Sequence, residues 1–167
     1  MLNAIFCRIL ATCVLSAVSV IASAEQRTGP TFLDFTVLWL DSHYQLGIPT
    51  SHPDIIALPQ SELVARRYGT EADEAQVEIV ALYDKELRAI LVSSEWTGKS
   101  LAELSILVHE MVHYLQDESG TVFACPAERE KLAYRAQNDW LRLSDESLES
   151  TFGIDPALIL VATACIH

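Results

Sequence analysis

Basic residues are scarce in this chain. Eleven Lys and Arg stand against 23 Asp and Glu in 167 residues, a formal net charge of −12. Affinity for phosphate-rich partners comes mostly from Lys and Arg, so the imbalance argues against nucleic acid as a partner. A membrane-length apolar stretch is also lacking: residues 9–21 and 157–165 both fall short of the ~20 residues a span needs. Internal repeats, low-complexity tracts and linkers are absent, which points to one domain. Disorder is excluded from the other direction, because 50% of residues are hydrophobic and only 20% charged. Cysteine is sparse, and neither Cys125 nor Cys165 has a second cysteine nearby, so a zinc-knuckle has no support.

What is present begins with a leader. Residues 1–8 carry Arg8 and no acid, residues 9–21 are apolar, and Ala22-Ser23-Ala24 is a small-x-small site before Glu25. This order predicts a secretory signal peptide, 1–24, and a mature domain, 25–167. The competing arrangements are an uncut membrane anchor and, more weakly, a lipoprotein through Cys13. Cleavage would remove Cys7 and Cys13 and leave a still more acidic chain. In an exporting compartment the two remaining cysteines are either a disulfide or two separately buried thiols, a choice that hangs on a Cα separation the sequence does not reveal.

Periodicity predicts one α+β domain. Apolar residues recur at helical spacing from 32 to about 44, and Gly47-Ile48-Pro49 ends that helix. A short strand over 55–58 and a short helix over 59–68, stopped by Gly69, follow. Runs 77–83 and 89–93 flank Asp84-Lys85-Glu86-Leu87-Arg88 and suit a hairpin. Ser100 with Glu103 forms a capping box that opens a long helix, closed by Gly120. A second long helix is expected from Pro126 to about Leu143. A last one, after Asp155-Pro156, should be a core helix.

The sharpest motif lies inside the best-defined helix: His109-Glu110-Met111-Val112-His113. Residues four apart share a helical face, so both imidazoles can reach one metal ion. Leu104, Leu107, Val108, Met111 and Leu115 form the neighbouring apolar stripe that anchors the helix, and Ser105 and Gln116 share the histidine face. Glu110 sits about 100° round from His109, beside a metal rather than on it. Zinc lowers the pKa of a bound water to ~7, and a carboxylate there can take its proton. The third ligand should come from the helix after Pro126, which offers Glu128 and Glu130. An acid at Glu128 is already explained by the helix N-terminus. Glu130, placed in the second turn and followed by the small Ala133 and by Tyr134, is better placed to close on the histidines.

His109-Glu110-x-x-His113 followed by Glu130-Lys131-Leu132-Ala133 resembles the gluzincin group of zinc metallopeptidases, over about residues 77–143. The resemblance implies a zincin-like single domain in which a small antiparallel β-sheet or hairpin packs on an active-site helix and a glutamate helix. It implies one zinc per chain held by His109, His113 and Glu130, with Glu110 as general base and acid. It further implies that residues 89–94 bind substrate backbone as an added strand. Tyr134 stands where many gluzincins have an Asp orienting the first histidine; it would hydrogen-bond His109 or donate to the developing oxyanion. The metzincin variant does not match, since His167 is the only downstream histidine.

The expected function is therefore a secreted or periplasmic zinc metallopeptidase acting on a peptide or protein substrate. The alternatives are a non-enzymatic secreted binding module with a structural metal site, and a membrane-anchored interaction protein if the leader stays uncut. His43, His52, Tyr114 and the three tryptophans are expected at the surface or in packing. Arg66-Arg67 is expected to be a solvated helix end. The acids of 71–86 form a solvated face whose charge would suit basic substrates.

Overall fold

The computed structural model describes residues 31–69 and 78–165. The expected leader, His167 and the acidic residues 71–76 lie outside the described residues. The elements run α1 (Phe32–Tyr44), β1 (Asp54–Leu58), α2 (Gln60–Tyr68), β2 (Ala81–Asp84), β3 (Ala89–Ser93), α3 (Leu101–Glu118), α4 (Glu128–Leu141), a 3-10 turn (Arg142–Ser144), α5 (Leu148–Phe152) and α6 (Pro156–Ala162). Among the described residues this is a small α+β domain of six helices and one three-stranded sheet.

β3 is the sheet's centre. Its sequence AILVS lacks the polar alternation of a half-exposed strand, and Ala89 to Val92 are all buried. Ile90 and Val92 face α1 and α3, packing with Val37, Leu40, Val108, Met111 and Val112. Ala89 and Leu91 face the other way, onto Leu63 and Val64 of α2 and onto Ile79. The sheet is thus covered on both faces, and the metal-motif helix is fixed to one of them.

The sheet order is β1-β3-β2, with β1 parallel and β2 antiparallel to β3. The expected antiparallel hairpin is present as β2–β3, and the parallel β1 makes the sheet mixed rather than antiparallel throughout. Residues 59–88, with α2 and β2 between the paired strands, supply the long crossover that parallel pairing needs. The expected substrate strand is corrected too. β3 has its hydrogen-bonding edges taken by β1 on one side and β2 on the other, so it has none left for a peptide. β2 is the strand with an outer edge toward α3.

α3 starts as expected, with Ser100 and Glu103 bonded reciprocally, and Gly120 follows its end at φ +65°. α4 starts two residues later than Pro126, with Ala127 at its cap, and this puts Glu130 in the first turn rather than the second. α6 is not a core helix. Its run ALILV has no polar face to mark a buried side, and Leu158, Leu160 and Val161 are all exposed. What ties this end down is a disulfide, Cys125–Cys165, with Cα atoms 5.8 Å apart. α5, capped by Ser147, was not foreseen.

Candidate metal centre

His109 and His113 project from adjacent turns of α3 and are 8% and 6% exposed. Their Nε2 atoms are 3.2 Å apart, and Oε2 of Glu130, from the first turn of α4, lies 3.1 Å from each. These residues form a group that could hold a metal ion. Of the two acids weighed for the third position, Glu128 turns away. Its carboxylate accepts the N–H of Ala124 at 2.7 Å, closing the turn before α4.

Two glutamines fix the protons on the imidazoles. Gln116 donates from Nε2 to the carbonyl of Arg129 at 3.0 Å, which leaves its oxygen facing Nδ1 of His113 at 3.1 Å. Gln137 donates from Nε2 to the hydroxyl of Ser105 at 3.2 Å, and that hydroxyl is itself a donor to the carbonyl of Ala102. The Gln137 oxygen therefore faces Nδ1 of His109, also at 3.1 Å. Each Nδ1 must carry the hydrogen it donates, so each Nε2 presents a bare lone pair. Three acceptor atoms then converge with no donor between them.

Such a cluster demands a cation. A tetrahedral zinc with bonds of ~2.0–2.1 Å sets its ligand atoms ~3.3 Å apart, close to the 3.1–3.2 Å separations found here. Protons answer the same demand when no metal is bound. Burial alone would push the His113 pKa down, but the Glu130 hydrogen bond and the charges of Glu110 and Glu130 raise it overall. Burial likewise pushes the Glu130 carboxyl up, yet its bonds to both histidines hold it below the usual carboxylate range.

Glu110 stands outside this group. It is 7% exposed, and its Oε2 accepts the backbone N–H of Tyr83 on β2 at 2.7 Å. Tyr134 also reaches the site, but through its ring, which meets His109 edge-on at 4.7 Å. The Nδ1 of His109 is taken by Gln137, so the expected tyrosine hydrogen bond is replaced by an amide one. Burial, then the nearby Glu130 and Glu110 charges, raise the Tyr134 pKa and keep its hydroxyl protonated.

His109, His113, Glu130, Glu110 and Tyr134 all border one cleft of about 610 Å³, walled by the end of α2, residues 78–86, α3 and the start of α4. Arg66 and Arg67 are exposed in the last turn of α2, as expected, and border that cleft, where Arg66 pairs with the buried Asp84 at 3.2 Å. His43 and His52 do not reach the cleft. His43 stacks on Trp39, and His52 bonds Asp34 at 2.8 Å. Tyr114 packs in the core and donates to the carbonyl of Ser51. The sequence reading missed Gln137, Arg129 and the Tyr83 N–H. Of these, Gln137 carried a usable signal, lying two turns after Glu130 on the same face of α4.

Fold and site together define an α+β domain with a His-His-Glu cluster, its histidines buried and its glutamate partly so, that could hold a metal ion. The chain belongs to a family described as a domain of unknown function (DUF6647), whose model matches residues 26–167. No curated protein and no solved structure matches the chain. Among the described residues no helix is long and apolar enough to cross a membrane, and the Cys125–Cys165 bond is compatible with an extracellular location.

Proposed function

We propose that this protein is an exported zinc metallopeptidase of the gluzincin type, with zinc on His109, His113 and Glu130. One observation carries the proposal. Two bare imidazole nitrogens and a carboxylate oxygen converge at tetrahedral-edge distances, while a second carboxylate, Glu110, stays off that group on the same cleft. Three protein ligands and a cleft on the open side are the composition of a catalytic rather than a structural zinc site. Bound zinc would supply Lewis-acid polarisation of a carbonyl and a more acidic water.

The chain's own groups do the rest. Glu110, held by the Tyr83 N–H, takes a proton from the attacking water and returns it to the departing amine. Gln116 and Gln137 keep the two imidazoles aimed. Tyr134, protonated and on the cleft wall, is the donor for the developing oxyanion.

The test is metal content together with hydrolysis of a peptide library by the purified protein. One zinc per chain and chelator-sensitive cleavage support the proposal. Glu110→Gln should keep the zinc and lower turnover by at least ~100-fold. Zinc bound with no cleavage of any peptide by the unaltered protein would instead assign the non-enzymatic binding module.

A further inference from the structure

The chain is acidic, yet the cleft beside the metal centre carries cations that no carboxylate of the described residues pairs with. Four cations border the cleft: Arg66, Arg67, Lys85 and Arg129. Two are used within the protein, Arg66 on Asp84 and Lys85 on Asp117. Among the described residues Arg67 and Arg129 have no carboxylate partner. Five carboxylates border the same space. Asp84 is held by Arg66, Glu110 by the Tyr83 N–H and Glu130 by the two imidazoles. The remaining two, Glu78 and Glu86, are exposed on the rim, where water screens them.

Arg129 is the informative one. It is half-buried, next in sequence to the third ligand, and its Nε lies 3.3 Å from Nδ1 of His113. That approach is a hydrogen bond only if Nδ1 is bare, and the Gln116 oxygen requires Nδ1 to carry its hydrogen. With His113 in the form that binds metal, the Arg129 Nε faces a ring N–H instead of an acceptor, and among the described residues no carboxylate meets its guanidinium. A partly desolvated guanidinium without an acceptor is costly unless an anion arrives to meet it. Arg67, exposed over the ring of Tyr68, adds a second cation from α2.

We propose that the cleft selects substrates carrying a carboxylate next to the bond that is cut, and that Arg129 is the group that binds it. A planar guanidinium accepts a carboxylate through two parallel hydrogen bonds, a geometry that an uncharged amide does not match. The carboxylate is either a substrate's C-terminus or an Asp or Glu side chain. This selectivity is opposite to the basic-substrate preference that the acids of 71–86 suggest. It rests on the metal-centre reading of the same cleft.

The test measures binding apart from turnover. Zinc-loaded Glu110→Gln protein is titrated calorimetrically with two matched peptide pairs. One pair differs only in an internal Glu or Gln, the other only in a C-terminal acid or amide. In one pair the acid should bind at least about tenfold tighter, and that pair identifies the source of the carboxylate. Adding Arg129→Gln should reduce the preference to about twofold or less, while Arg129→Lys should keep part of it. Zinc content and thermal unfolding of both variants establish that they remain folded. Equal binding within both pairs, or a preference that survives Arg129→Gln in folded protein, overturns the proposal. If the preference is present but the unaltered protein cleaves none of these peptides, the hydrolytic reading fails and the carboxylate site stands.

Discussion

Replacing Glu130 by Ala removes the anionic donor from the proposed zinc site and leaves two imidazoles on a single helix. A ligand that binds only the folded chain stabilises it by RT ln(1 + [L]/Kd), about 2.7 kcal/mol with free zinc 100-fold above Kd. For a domain of this size that corresponds to a rise in melting temperature of roughly 6–10 °C. The assay is thermal unfolding with and without zinc, each variant being compared with its own metal-free state. This design removes whatever the substitution costs the metal-free fold. Glu130→Ala should cut the zinc-induced rise to roughly 2 °C or less at the same zinc concentration. Glu128→Ala should keep the full rise, because that carboxylate is spent on the Ala124 N–H. Its baseline should drop by about 0.5–1 kcal/mol for the lost bond. If Glu128→Ala abolishes the rise and Glu130→Ala retains it, the ligand assignment is wrong and the resemblance to gluzincins fails with it.

Other outcomes follow from neighbouring contacts. Gln137→Leu removes the acceptor that holds the His109 Nδ1–H, so zinc affinity should fall about 10–100-fold in competition with a chelator; an unchanged affinity would mean that the ring is held by packing against Tyr134 instead. Cys125→Ser or Cys165→Ser opens a closure of 40 residues and should cost about 2–4 kcal/mol in denaturant unfolding. A native protein whose unfolding ignores reductant would contradict this. Glu103 is held at a pKa of about 2, first by the Thr97 N–H and hydroxyl and then by Ser100 at the cap of α3. A depressed folded pKa gives stability that is complete above the unfolded value and lost as the pH falls toward 2. Glu103→Gln should therefore cost about 1 kcal/mol at neutral pH and flatten part of the acid transition below pH ~4.5, which unfolding curves at stepped pH would show.

Legibility in the sequence followed the range of the forces involved. The starts of α1 and α3 were readable because their signals are local: apolar spacing from Phe32 in α1, and the Ser100–Glu103 capping box in α3. The continuous run of β3 marked a buried strand for an equally local reason. Its central position was not readable, since that depends on β1 arriving across a crossover and on helices covering both faces. The error about α6 has the same origin. A helix apolar all round does not announce which side is buried, and here Leu158, Leu160 and Val161 are left outside. In the site, the histidine pair was visible because both members lie on one helix. Gln137, Arg129 and the Tyr83 N–H reach it from other elements, and only the spacing of Gln137, two turns after Glu130, gives a hint of one of them.

The position of Glu130 raises a physical difficulty that the surrounding contacts resolve. A first helical turn is where fraying is easiest, and α4 begins at Ala127 with no side-chain cap. A ligand there would be poorly placed if the turn moved. Three links hold it. The Cys125–Cys165 bond fixes the chain five residues before Glu130. Glu128 closes back on the Ala124 N–H. Gln116 of α3 donates to the carbonyl of Arg129. The last of these joins the two halves of the site, since the same amide turns its oxygen to His113. One side chain thus sets the tautomer of a histidine on α3 and anchors the turn of α4 that carries the carboxylate. The positive end of the α4 dipole adds to this by favouring an ionised Glu130 where it stands. The arrangement would let a carboxylate in the first turn serve as the proposed third ligand, and it makes Gln116 as consequential for the proposed metal centre as the residues that would touch the ion.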